Sequence, residues 1–378
     1  MKKKILVPFM FGLLAVISGC GQKAQGSTSQ NPGTDGSRTE RIQEDSEESI
    51  SGTENDETET PGTEKTPDSG NLSEDMSIKD SESASISGHA GESDTPVVYM
   101  TTDISSQGLM EIYQALSAAP SGKVAVKLST GEPGSNYLRT DLIGELVQSL
   151  EGTIVECNTA YGGSRANTAM HYQVAEDHGY TTIADVDIMD EDGSMTLPVT
   201  GGDNLTENYV GAHFSDYDYY VILSHFKGHA MAGFGGAIKN ISIGIASSEG
   251  KAHIHSGGTG GSMWGGSQDA FLESMAEAGK SVVDYLNGNI LYINVMNRLS
   301  VDCDCDGSPT EPDMHDIGIL ASYDPVALDQ ACVDLVYGAE DGQSLIDRIE
   351  SRNGLHTLEQ AEEIGLGSRE YELVSIDD

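Results

Sequence analysis

The sequence predicts an α/β fold: a mostly parallel sheet with helices on both faces, preceded by a disordered acidic linker. Two observations carry this. Beyond residue 95, short apolar runs of β-like composition alternate with segments whose apolar residues recur at helical spacing, as in strand–helix–strand units. Before residue 96 the composition changes. Residues 21–95 hold 18 acidic and 5 basic side chains and no aromatic one. Such a stretch buries too little apolar surface to offset its chain entropy.

In chain order, Lys2, Lys3 and Lys4 precede an apolar run from Ile5 to Ile17, followed by Ser18-Gly19-Cys20. A basic start, a short apolar stretch and small residues make a secretory signal over residues 1–20, too short for a stable membrane span. Ile-Ser-Gly-Cys resembles the bacterial lipobox, which implies lipidation of Cys20 and residence on the extracytoplasmic face of the cell membrane. Residues 21–95 then form a tether with a reach of about 45–50 Å, and residues 96–378 the α/β domain.

Within that domain, residues 97–101 and 123–128 are expected as buried strands on either side of a helix over 108–118. Residues 138–150 are helical by the spacing of Leu142, Leu146 and Leu150, and 153–157 are strand-like. A helix over 165–178 is followed by strands at 181–185 and 195–198. Residues 219–223 form a short apolar strand, 269–286 an amphipathic helix, and 290–295 and 316–321 further strands. Pro325 suits the first turn of a helix over 325–337, with Asp324 as its cap.

The whole chain carries 61 acidic against 20 basic residues, a formal net charge of −41. Nucleic-acid binding through phosphate neutralisation is excluded, and an anionic bilayer offers no attraction. The acidity has one gap. Between Asp218 and Asp269 the only acidic residue is Glu249, against Lys227, Lys239, Lys251 and four histidines. Open α/β sheets bind ligands beyond the carboxyl ends of their strands, and this window begins where a strand ends.

His225, His229, His253 and His255 are candidate metal ligands, since imidazole serves as ligand, acid or base near neutral pH. Gly235 and Gly236 allow close backbone approach to a ligand, and Lys227 and Lys239 supply charge or, once desolvated, a nucleophile. Lys127 and Arg165, both at strand ends, are candidates for holding an anionic group. Cys303 and Cys305 sit in an Asp-Cys-Asp-Cys-Asp run. Two thiolates two positions apart share one face of an extended segment and suit one soft or borderline metal, so a transition metal is the expected cofactor. In an oxidising compartment the same cysteines suit disulfides instead, with Cys157 and Cys332 as further partners or as buried apolar residues. No ferredoxin-type Cys-x-x-Cys run, phosphate loop or His-Glu-x-x-His helix is present.

Several blocks together resemble the family of domain of unknown function 362. They are Lys127-Leu-Ser-Thr-Gly-Glu-Pro-Gly134, Tyr161-Gly-Gly-Ser-Arg165, Ser224-His-Phe-Lys-Gly-His229, Gly233-Phe-Gly-Gly-Ala-Ile-Lys-Asn240, Asp302-Cys-Asp-Cys305, Asp316-Ile-Gly-Ile-Leu-Ala-Ser322 and Asp324-Pro-Val-Ala-Leu-Asp329. A more distant resemblance joins His229, Lys239 and His255 to the nickel-pincer lactate racemases. That likeness implies His229 as acid/base, Lys239 as the covalent cofactor site and His255 as a metal ligand. The expected function is a metal- or cofactor-dependent site for a small anionic ligand, with redox or isomerase chemistry. The competing readings are a non-catalytic binding lipoprotein for a small anion or wall component, and a surface protein stabilised by disulfides.

Overall fold

The computed structural model describes residues 95–260 and 263–377. The signal, Cys20 and nearly all of the acidic linker lie outside the described residues. The chain enters through strand β1 (Val97–Thr101), then helix α1 (Ser106–Ala115), whose first turn is closed by the Ser105 hydroxyl accepting from Gly108 N. Strand β2 (Val124–Lys127), helix α2 (Thr140–Ser149), strand β3 (Thr153–Glu156), helix α3 (Thr168–Asp177) and strand β4 (Val186–Ile188) follow. A separate hairpin of β5 (Ser194–Pro198) and β6 (Glu207–Gly211) precedes the central strand β7 (Tyr219–His225). Next come a tight hairpin of β8 (Lys227–His229) and β9 (Gly233–Gly235), the single turn α4 (Ala237–Lys239), a π-helical segment (Asn240–Gly244) and helix α5 (Ser248–His255). Helix α6 (Gln268–Leu286), strands β10 (Ile290–Met296) and β11 (Gly318–Ser322), helices α7 (Pro325–Gly338), α8 (Gln343–Ser351) and α9 (His356–Glu363), and strand β12 (Glu372–Ser375) complete the chain.

Eight strands form one sheet in the order β12-β1-β11-β10-β7-β2-β3-β4. Only β11 runs against its neighbours; all other pairings are parallel. Alternate residues of each strand enter opposite cores, as the two-residue period of a strand requires. Val126, Ile154, Val221, Leu223, Ile293 and Ile319 pack with α1 and α2 on one face. Ala125, Val155, Tyr220, Ile222, Tyr292 and Leu320 pack with α6, α7, α8 and α9 on the other. Helix α7 starts as expected, with the Asp324 carboxylate accepting from Val326 N and Ala327 N ahead of Pro325.

One expectation needs correction. Residues 181–185 are not a strand: Tyr180–Thr182 is a 3₁₀ turn following Gly179 in the left-handed region, and the edge strand β4 starts only at Val186. The Tyr180 side chain is drawn inward, where its hydroxyl donates to Leu138 O at 2.8 Å. Residues 195–198 are a strand as expected, paired in the β5–β6 hairpin that stands apart from the main sheet.

Candidate functional site

Strands β10, β7, β2 and β3 are consecutive and parallel, so their carboxyl ends open onto one place. A cavity of about 440 Å³ lies there. Each strand delivers a side chain or a following loop to it: Lys127 from β2, Glu156 from β3, His225 from β7, and residues 302–307 from the loop after β10. The β8–β9 hairpin, α4 and α5 close the remaining walls with His229, Gly235, Gly236, Lys239, Lys251 and His255. Trp264, the only tryptophan of the chain, stands exposed at the cavity wall.

Most of the buried charge in the wall is internally balanced. Lys127 is fully buried and pairs with Glu156 at 2.9 Å, while donating to Leu128 O and Asn240 Oδ1, each at 2.9 Å. Its three donors are therefore spent within the protein, and it gives a ligand only charge. Room for its ammonium depends on Gly244, where an added Cβ would come within 2.7 Å of Nζ. Arg165 reaches Glu132 at 3.1 Å and Glu156 at 3.5 Å. Burial pushes the Glu156 carboxyl up, but Lys127 and Arg165 outweigh it and hold the group at about 2. Lys227 pairs with Asp304 at 2.8 Å and donates to His225 O at 2.8 Å. Burial opposes ionisation of Asp304 too, and Lys227 and His225 overcome it, keeping the carboxyl well below its usual range.

Two cations are left over. Lys251 is buried and spends donors only on carbonyls, Ala246 O at 2.6 Å and Cys157 O at 3.4 Å. The Lys239 amine has no hydrogen-bond or ion-pair partner among the described residues. Burial, reinforced by Lys227, brings the Lys239 amine down to about 7. The turn that carries it is capped from across the fold: Asp329 of α7 accepts from Ala237 N at 2.7 Å and Ile238 N at 2.9 Å. Gly236 is required there, because an added Cβ would collide with the Asp329 carboxylate. The missing Cβ thus admits that cap, and Gly236 also lines the cavity. Asn240 ties the strands together beneath the cavity, donating to Lys127 O, Leu223 O and Ser224 Oγ.

The four histidines separate. His225 has both ring nitrogens occupied, Nδ1 by Asp304 at 3.0 Å and Nε2 by Asn297 O at 2.7 Å, which leaves none for a metal. His253 lies outside the cavity lining, its ring 5.1 Å from that of Tyr209. His255 lines the cavity, stacked on Phe271, with Nδ1 on Lys251 O at 2.7 Å, and burial lowers its imidazole to about 4. It stands apart from the cysteines. His229 joins them: His229, Cys303 and Cys305 bring their ligand atoms within 4.8 Å of one another, close enough to hold a metal ion. The two cysteines are joined as a disulfide, with Cα atoms 5.2 Å apart. Cys157 and Cys332 are free and buried. A second group that could hold a metal, Asp187, Glu191 and His213, lies near the surface away from the cavity, with His213 bridging Asp187 and Asp192.

Glu156, Asp304, Asn240 and Lys251 complete the site; Asn240, Lys251 and Asp304 fall in segments the sequence singles out, whereas Glu156 does not. An acidic residue ending an apolar strand is the one sequence signal that marks Glu156.

The family profile described as Domain of unknown function (DUF362) matches residues 124–334, and the chain belongs to that family. All the sequence blocks quoted above fall within that span. No curated protein matches the chain. Among solved structures it is similar to the lactate racemase apoprotein from Thermoanaerobacterium thermosaccharolyticum, at 13% identity and a TM-score of 0.37, over 64% of this chain and 56% of that one. A structural-genomics protein from Thermotoga maritima is similar at 13% identity and a TM-score of 0.36, over 60% and 57%. The chain thus aligns with less than two thirds of the length of either structure.

Proposed function

We propose that this member of the DUF362 family is a lipid-anchored, extracytoplasmic protein that binds a small anionic ligand in the cavity beyond β10, β7, β2 and β3. The observation that carries the proposal is the surplus of buried positive charge. Lys127, Arg165 and Lys227 are matched by Glu132, Glu156 and Asp304, whereas Lys239 and Lys251 have no carboxylate partner among the described residues. Uncompensated buried cations are costly, and a bound anion removes that cost. A cavity of about 440 Å³ suits a small carboxylate or oxyanion. Anchoring rests on the signal and Cys20 alone.

Sulfate is a suitable first probe because it does not titrate near neutrality, and Trp264 supplies the signal. Sulfate should change the fluorescence of Trp264 saturably and raise the melting temperature of the full chain. Lys239→Met should weaken binding at least tenfold, and Lys280→Ala, whose side chain pairs with Asp284 and does not line the cavity, should leave it unchanged. Absence of any response to sulfate, phosphate, pyruvate or malonate removes the anion reading.

A second reading is favoured by the 4.8 Å grouping of His229, Cys303 and Cys305. Once the disulfide is reduced, these three residues form a site for a soft or borderline metal. Cobalt(II) added to reduced protein should give thiolate charge-transfer absorption, lost in Cys303→Ser; the oxidised protein should give none.

A further inference from the structure

We propose that Cys303 and Cys305 form a redox-active pair that exchanges electrons with an external dithiol, with Cys305 as the sulfur that is attacked. Four observations carry this.

The bridge is not needed to hold its loop. Asp304, between the two cysteines, is clamped by Lys227 at 2.8 Å and His225 at 3.0 Å, and its carbonyl accepts from Glu132 N at 2.7 Å. Arg348 holds Asp302 at 3.2 Å, and Thr310 Oγ1 donates to Asp302 at 2.7 Å. Opening the disulfide therefore leaves the loop pinned at several other points.

The two sulfurs differ in access. Cys303 is buried, whereas Cys305 is partly exposed and leads directly into the exposed residues Asp306, Gly307 and Ser308. An incoming thiolate reaches Cys305 first, and access decides which sulfur is attacked.

The leaving sulfur has a donor in place. The backbone N–H of Cys305 donates to Cys303 Sγ at 3.3 Å.

A fixed imidazole tautomer faces the pair. Met231 N at 3.1 Å and Ala232 N at 2.9 Å both donate to His229 Nδ1. The ring proton therefore sits on Nε2, which lies 4.0 Å from Cys305 Sγ. His229 is thereby a donor to sulfur, placed to stabilise the Cys305 thiolate when it is released from the mixed disulfide.

The exchange balances as follows. One thiolate of the external dithiol attacks Cys305 Sγ, the Cys303–Cys305 bond breaks, and Cys303 leaves as a thiolate. The second thiolate of the dithiol then attacks its own partner sulfur in the mixed disulfide, releasing Cys305. Two electrons and two protons pass to the pair, and the dithiol becomes a disulfide. This chemistry stands without a bound anion, so sulfate binding in the same samples reports separately on the cavity.

The test is a dithiothreitol titration of the full chain without denaturant, with differential alkylation of the peptide containing both cysteines. The pair should convert reversibly between disulfide and dithiol as the ratio of reduced to oxidised reagent changes, with circular dichroism unaltered. Cys303→Ser should trap glutathione on Cys305 at least tenfold faster than Cys305→Ser traps it on Cys303. His229→Ala should slow reduction of the wild-type pair about tenfold, with His229→Gln, which keeps an N–H donor, restoring most of the rate. A pair that is reduced only after unfolding in urea overturns the proposal, as does equal trapping at the two sulfurs.

Discussion

The Lys239 amine has left the solvent without gaining an ion-pair partner among the described residues, so burial and Lys227 bring it down to about 7. Its charged form is the protonated one, roughly nine-tenths populated one pH unit below that value and one-tenth populated one unit above. A bound anion stabilises the protonated form. Sulfate affinity should therefore fall as pH rises from 6 to 8, by up to about tenfold, and Lys239→Met should flatten the profile. His255, held near 4, and His229, held lower than usual by burial and then by Lys239, stay neutral across this window. Without ligand the sign reverses: between about 7 and the unfolded value near 10.5 the unfolded chain binds more protons, so stability attributable to this group rises with pH. At the neighbouring pair, closing three residues of chain yields only roughly 1.6 kcal/mol in the chain-entropy estimate, against about 3 kcal/mol for a 15-residue loop. The Cys303–Cys305 bridge is a weak staple, in keeping with its proposed exchange chemistry.

Among the elements, α4 shows how a short turn is made to hold a functional side chain. Three residues cannot sustain a helix alone, since nucleation is unfavourable. Asp329 supplies the missing acceptors at its N-terminus, and Asn294 steadies that carboxylate at 2.7 Å. Burial pushes the Asp329 carboxyl up to about 6 despite these three donors. Asp329→Ala should cost about 1–3 kcal/mol in urea unfolding, because two buried N–H groups lose their partner. It should also weaken sulfate binding, while Asp324→Ala, which uncaps α7, should lower stability and leave binding largely intact. The β8–β9 hairpin and α5 were not legible in sequence for a physical reason. Lys227-Gly-His229 and Gly233-Phe-Gly235 are too short and too glycine-rich to show a strand period. In α5 the buried residues are Gly250, Lys251, Ile254 and His255. A helix that turns polar groups into a cavity lacks the apolar stripe by which helices are recognised.

At the scale of the molecule, the two cores on either face of one sheet follow from strands that are apolar on both sides. β7 and β10 are buried at every position. Among the described residues no helix is long and apolar enough to cross a membrane, so the proposed membrane attachment rests on Cys20. Cys20→Ala should shift the full-length protein from the membrane to the soluble fraction and abolish palmitate labelling; retention in the membrane fraction would remove the lipid anchor from the proposal.

The sequence by itself determined the alternation of strands and helices, the window from 219 to 268 whose one acidic residue is Glu249, and the candidate side chains His229, Lys239, Cys303 and Cys305. These are properties of local composition and period. Only the tertiary structure decided which of them meet. His229 and Cys305 are 76 residues apart in sequence and come together because β7 and β10 are hydrogen-bonded neighbours, with His225 in register with Val295. That strand pairing also buries Asp304 against Lys227 and His225, which removes His225 from the candidate ligands, and β2 pairing with β3 spends Lys127 on Glu156. Local pattern specifies that a residue ends a strand. Which strand lies beside it is set by long-range packing, and that choice determines whether a charge is matched or left for a ligand.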